Sequence, residues 1–178
     1  MKSNNKQFGV IVVLILLATL SRLIEHPLNF VPISAIILFG AAHFKEKWQV
    51  FLIPLFATLI SDILISGWYF NIWIYMSYFL ILLFGVKLYS KKISVSNMLG
   101  GAVGASLIFF IISNFGAWLT MYPFTFEGFL SCYIQAIPFY HNTLGSNLFY
   151  AAILFGSYDI LQTKFTVLKL QHIKYHTK

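Results

Sequence analysis

Charge is scarce in this chain. Only 10% of its 178 residues are Asp, Glu, Lys or Arg, and just 5 are acidic, whereas an ordinary soluble domain carries roughly 25% charged residues. A surface so poor in charge cannot be built mainly to face water. Cysteine is nearly absent too. Cys132 stands alone, which excludes an intramolecular disulfide and a cysteine-based zinc site. The sequence has no Gly-rich phosphate loop, no H-E-x-x-H pair and no G-x-S-x-G nucleophile turn, and so lacks the recognised machinery of nucleotide hydrolysis, zinc proteolysis and serine hydrolysis. An arginine-rich voltage-sensing helix, a TVGYG-like filter and a clear inverted repeat are missing as well. Its length leaves no room for a soluble catalytic domain beside a membrane one.

What is present is apolar sequence in long runs, 59% of the chain in all. Each run approaches the roughly 17–25 residues that span a bilayer. The pattern predicts an all-α membrane protein: a single integral membrane domain over 1–178, with about six transmembrane helices in one bundle. Helices are expected over about 8–24, 31–44, 48–66, 71–89, 95–122 and 144–166. Proline and glycine mark several boundaries: Pro27 after the first, Pro32 at the start of the second, Gly67 after the third and Pro123 after the fifth. The first apolar run follows Lys2 and Lys6 like a signal peptide, but no small-x-small cleavage site follows it, so it is read as a retained helix. Residues 167–178 form a basic tail. Between helices five and six, the segment 123–143 is aromatic-rich, holds Pro123 and Pro138, and is too polar for an easy span. It is expected to be a re-entrant or interfacial lid, since irregular backbone at membrane depth needs protein or a watery cavity around it.

The lysines set the orientation. With the N-terminus inside, every one of the 12 Lys and Arg residues except Arg22 falls on the inner side. That is the asymmetry expected of cytoplasmic loops, and it requires an even number of spans. Both termini are therefore expected in the cytoplasm of a bacterium, with the chain multi-pass in the inner membrane. The net charge of +7 comes from lysines flanking apolar runs, not from a basic stripe with interleaved aromatics, so nucleic acid is not an expected partner.

Unusual polar residues gather toward the outer side. The first outer connection carries Arg22, Glu25, His26 and Asn29. If helix one continued that far, Arg22 would reach Glu25 and His26 at i+3 and i+4. Asp62 lies inside the third helix, roughly 7–8 Å below its outer end at 1.5 Å per residue. A carboxylate at helix centre costs about 2.5–3.5 kcal/mol to insert, so Asp62 should face the bundle interior and hold a partner. Arg22 is the one outer-side guanidinium. Two compatible readings follow: a structural Arg22–Asp62 pair between helices one and three, or one wall of a ligand cavity. Asn114 and Trp118 share a face of helix five, and Asn147 opens helix six at the same level. Trp68, Tyr133 and His141 complete the candidate substrate-binding set of Arg22, His26, Asn29, Asp62, Trp68, Asn114, Trp118, Tyr133, His141 and Asn147. Aromatics at this depth more often form an interfacial belt than a ligand cage. His26 and His141 lack a metal-ligand spacing, and Cys132 reads as packed, not nucleophilic. No catalytic residue, metal or cofactor is assigned. Asp159 is expected to pair with a nearby lysine. Helix five begins with overlapping small-xxx-small pairs, Gly100 with Gly104, Gly101 with Ala105 and Ala102 with Ser106, suited to close helix packing or to docking a partner.

The blocks SRLIEHPLNFVPISAIILFGAAHF, LISD, FFIISNFGAW, GFLSCYIQAIPFYHNTLGSNLFY and ILFGSY occur in order between Ser21 and Tyr158. In these blocks the chain resembles an uncharacterised bacterial family of transport proteins, itself similar to the substrate-binding S components of energy-coupling-factor (ECF) transporters. The resemblance implies six helices with cytoplasmic ends and a ligand held near the outer face by the odd-numbered loops. It also implies an energising transporter module with ATPase subunits as a partner. Two departures stand out. Helix one offers Gly9, Ala18 and Ser21 in place of the Ala-xxx-Ala docking face of many S components. Lys2 stands where metal-importing relatives carry histidine, which argues against nickel or cobalt uptake.

The expected function is capture and uptake of a small vitamin-like nutrient, aromatic or heterocyclic, through an outward-facing cavity. The expectation is not of an enzyme. The alternatives are a membrane assembly or structural factor and, after that, a small membrane enzyme acting on a lipid or quinone.

Overall fold

The computed structural model describes residues 2–44, 46–66 and 71–164. Regular structure among the described residues is helical throughout: α1 (Lys2–Leu20), a 3-10 turn (Ser21–Leu23), α2 (Ile33–His43), α3 (Lys47–Ser66), α4 (Ile72–Leu88), α5 (Val95–Met121) and α6 (Phe126–Lys164). Side-chain caps fix several starts. The Asn71 amide oxygen accepts from Trp73 N at 3.0 Å, the Ser94 hydroxyl accepts from Asn97 N at 3.2 Å, and the Thr125 hydroxyl accepts from Gly128 N at 3.1 Å. Each satisfies a backbone donor that the first helical turn leaves free.

Ring contacts show how the helices alternate in direction. Phe8 near the start of α1 meets Phe44 just past α2, and His43 meets Tyr158 late in α6. Tyr89 beyond α4 meets Phe155, and its hydroxyl donates to the Asn97 carbonyl early in α5. At the opposite end, the 3-10 turn, the last turn of α3 and the first turn of α4 come together through Arg22, Asp62 and Tyr75. The short helix α2 is the centre of the bundle. It packs against all five other helices, and Pro32 to Gly40 are buried without interruption, as expected of a helix that is apolar on every side. Outward faces of α1 and α3 carry Leu16, Leu17, Leu20, Leu52, Phe56 and Ile60 exposed. Among the described residues, three helices are long and apolar enough to cross a membrane, over Lys6–Leu23, Trp48–Ile65 and Val95–Met121, while α2 and α4 are shorter apolar helices.

Helices two to five lie close to their expected positions, while the first runs over Lys2–Leu20 in place of about 8–24. The sixth departs further. The segment 123–143, expected as a non-helical lid, is helical from Phe126 and runs without interruption into Lys164, a helix of 39 residues with Pro138 inside it. Pro138 removes one backbone donor, but the neighbouring turns continue the helix. Thr125 caps it, and Gly128 lets it fold back: a Cβ there would stand 2.1 Å from the Pro123 carbonyl oxygen. The basic tail 167–178 and Trp68 lie outside the described residues.

Candidate functional site

The charged cluster forms where α1, α3 and α4 meet. Helix α1 ends at Leu20, and Ile24 is extended, so the helical path from Arg22 to Glu25 and His26 does not exist, and both of those residues are exposed. Arg22 turns instead toward α3. Its Nη2 lies 2.7 Å from Asp62 Oδ1, with the two side chains only 10% and 19% exposed. Its Nη1 donates to the Ser61 hydroxyl, which in turn donates to the Thr58 carbonyl at 2.8 Å. The other carboxylate oxygen of Asp62 accepts from the Tyr75 hydroxyl at 2.8 Å. Both Asp62 oxygens are thus matched, while Arg22 Nε is buried with no hydrogen-bond partner. The salt bridge anticipated from the sequence is in place; Ser61 and Tyr75 are members that charge counting alone does not reveal. Tyr75 sits one turn after the Asn71 cap, which aims the start of α4 at α3.

Beside this cluster runs a fissure of about 310 Å³ between α3 and α4, floored by α2. Its lining is almost wholly carbon, with Thr58, Tyr75 and Tyr78 the hydroxyl-bearing residues. The Thr58 hydroxyl donates to the Pro54 carbonyl at 2.9 Å.

The remaining expected site residues do not join this corner. Asn114, Trp118 and Tyr133 belong to the hairpin of α5 and the first half of α6. There the Asn114 amide donates to the Phe110 carbonyl at 2.7 Å, the Trp118 indole to the Pro123 carbonyl at 3.2 Å, and the Tyr133 hydroxyl to the Ile111 carbonyl at 2.7 Å. Trp118 stacks on Phe124 at 4.7 Å, and Phe129, Tyr133, Phe110 and Tyr140 continue a chain of ring contacts. Cys132 is buried in the same seam, its thiol 3.4 Å from the Asn114 carbonyl.

Asn147 does not open a helix at the level of Asn114. It sits midway along α6, 1% exposed, donating to the Ser106 hydroxyl of α5 at 2.8 Å. Ser106 is two turns from Asn114, roughly 12 Å along the helix at 1.5 Å per residue. The Asn147 Oδ1 has no hydrogen-bond partner. Reversing the amide would leave both of its polar atoms without a partner, because the Ser106 proton goes to the Ala102 carbonyl.

His26, Asn29 and His141 are exposed. Asn29 has φ of 61° in a turn closed by Phe30 N to the Pro27 carbonyl at 3.0 Å. That left-handed position favours asparagine for backbone reasons. Among the described residues, no group of three His, Cys, Asp or Glu could hold a metal ion. The glycines of α5 pack within the chain: a Cβ on Gly101 or Gly104 would press on Tyr89 or Phe84 of the α4 side.

One family profile matches residues 2–169, nearly the entire chain. The chain belongs to DUF6580, a family of unknown function. No curated protein and no solved structure matches it. For this DUF6580 member the chemistry of the corner is therefore read from its own side chains. It offers a neutralised ion pair, a phenol and an apolar recess.

Proposed function

We propose that this chain is a multi-pass protein of the bacterial inner membrane that captures a small nutrient-like molecule and passes it inward without chemically altering it. In this reading it crosses the bilayer six times with both ends in the cytoplasm. The three long apolar helices, the two shorter apolar ones and the one-sided lysines support that topology. One observation carries the functional reading: the largely sequestered Arg22–Asp62 pair stands beside an apolar recess. Ionisable groups inside membrane helices are costly and commonly mark substrate pathways. The S-component resemblance fits a capture subunit working with an ATPase-bearing module, since the chain has no ATP-binding motif of its own.

The test is uptake of a vitamin panel by cells with and without the gene, together with mass spectrometry of small molecules that co-purify with the solubilised chain. The expected result is one ligand class taken up and retained, and lost on Asp62→Asn. No uptake difference, no retained molecule and a cell-envelope defect on deletion would replace this reading with a structural or assembly role. One observation favours that second reading: the polar groups of Asn114, Trp118 and Tyr133 already bond within the α5–α6 hairpin. Reporter fusions after Lys92 and Lys178 should report cytoplasm, and one at Thr125 the outside. An external Lys178 would overturn the topology.

A further inference from the structure

Helices α3 and α4 follow one another in the chain yet scarcely pack together. The neighbours of α3 are α1 and α2, and those of α4 are α2 and α5. Gly40 explains part of this: a Cβ there would come within 2.9 Å of Pro54 Cγ, so α3 is drawn close onto α2 and not toward α4. The space left over is the fissure of about 310 Å³. Its buried lining is Ile37 from α2 with Pro54, Thr58, Tyr78 and Leu82 from α3 and α4. Its mouth lies between Leu55 and Phe79, 43% and 51% exposed, on the side of the bundle and not at its end.

The walls are aromatic. Phe51 and Phe79 approach across the fissure with ring centroids 6.1 Å apart. Tyr75 and Tyr78 meet edge to face at 5.9 Å, and Tyr78 stacks on Phe109 behind it. Such rings favour offset or edge-on contact with another ring. The polarity is equally selective. The Thr58 proton is bonded to Pro54 and the Tyr75 proton to Asp62, and the nearby charges cancel as a pair. With Tyr78 the only other hydroxyl-bearing residue of the lining, a charged ligand would lose its hydration here with no unpaired opposite charge to offset the loss. The volume lies at the lower end of the roughly 300–1,000 Å³ of small-molecule pockets, suited to one or two fused rings.

We infer that the α3–α4 fissure binds a neutral, flat, largely apolar ring compound that enters sideways from the hydrocarbon of the membrane. The inference rests on the capture reading above and narrows it: the ligand partitions into the bilayer before it is bound, and Tyr75 and Asp62 stand at the polar edge of its site.

The test uses the full chain in phosphatidylcholine nanodiscs, with 6-fluoroindole as the probe followed by fluorine NMR. Saturable line broadening above that of empty nanodiscs is expected. Leu55→Trp fills the mouth from an exposed position, and should weaken binding roughly tenfold or more while leaving the thermal transition in place. Leu64→Trp, also exposed on α3 but not lining the fissure, should leave binding unchanged. Broadening equal to empty nanodiscs, or equal binding in the Leu55→Trp chain, overturns the inference. So does a tightly retained phospholipid whose chain excludes the probe. If the vitamin panel still shows uptake dependent on Asp62 while the probe fails, the lateral site alone is wrong. If both fail, the capture reading falls with it.

Discussion

The α5–α6 hairpin and the α1–α3–α4 corner are made from similar materials and end in opposite states. Both mix aromatic rings with a few polar groups. In the hairpin, Trp118, Phe129, Tyr133 and Phe110 interlock, and the Trp118 and Tyr133 donors are taken up by carbonyls close by in the structure. In the corner, Tyr75, Tyr78, Phe51 and Phe79 line a space they do not fill. The difference lies in helix neighbours. A tight turn at Gly128 brings the start of α6 back onto α5, whereas α3 is held by α1 and α2 and leaves α4 to one side. Similar aromatic density thus gives a filled seam where helices pack and an open fissure where they do not.

That contrast breaks most sharply at the ion pair. Asp62→Ala strands the Arg22 guanidinium, and Arg22→Ala strands the carboxylate. Leaving one partner of a buried pair uncompensated costs about 3–5 kcal/mol in water-soluble proteins. A strong drop in the thermal midpoint of solubilised protein is expected from either. The double change Arg22→Met with Asp62→Leu should recover much of the stability, because apolar replacements of both partners are often neutral or better. If capture depends on the pair, the double variant is stable and inactive.

A smaller loss is expected where α4 presses on α5. A Cβ on Gly116 would lie 2.0 Å from Trp73 Cγ and 2.5 Å from its Cβ, too near the Trp73 backbone for a simple rotation. Gly116→Ala should cost about 1–3 kcal/mol, as overpacked cores do, and thermal melts would register it. Should Gly116→Ala alter probe binding more than stability, α4 rather than the charged corner would control the fissure.

Asn29 separates backbone from ligand roles. Asn29→Gly should leave stability unchanged or slightly raised, and Asn29→Val should lose about 1–2 kcal/mol because its φ is positive. Loss of ligand binding in a fully stable Asn29→Gly chain would restore this residue to the site. The mildest effect belongs to the hairpin. Tyr133→Phe removes one hydrogen bond, worth about 0.5–1.5 kcal/mol, and should leave uptake untouched. A transport defect without a stability defect would move the site toward α6.

Much of the helix pattern was readable because short-range chemistry wrote it. Asn71 and Ser94 precede their helices as caps, and Pro27, Pro32 and Pro123 stand at breaks. The Arg22–Asp62 pair was readable by elimination, since Arg22 was the one outer-side cation other than histidine. The start of α6 was misread because Pro138 and the polar residues around it look like a break. Yet Thr125 is a capping residue, and Phe126, Leu130, Ile134 and Ile137 follow at helical spacing, which were the signals to weigh. The fissure had no local signature. Helices that are apolar nearly all round carry little information about which face meets which neighbour, so the separation of α3 from α4 belongs to the tertiary level alone.

The length of α6 has a mechanical consequence. Its 39 residues measure roughly 58 Å at 1.5 Å per residue, nearly twice the hydrocarbon thickness of about 30 Å. A rod of that length in a bilayer must lean, bend near Pro138 or stand out of the surface. Its first half lies along α5, with the Cys132 thiol and Tyr133 hydroxyl on α5 carbonyls, and in its second half Phe155 and Tyr158 meet Phe39 of α2, so in the six-span reading a change in lean would reach the central helix beneath the fissure. In that reading membrane thickness would act as an input to the protein. Reconstitution in lipids of increasing chain length should shift probe affinity smoothly, as though the bilayer were a second ligand acting through a single beam.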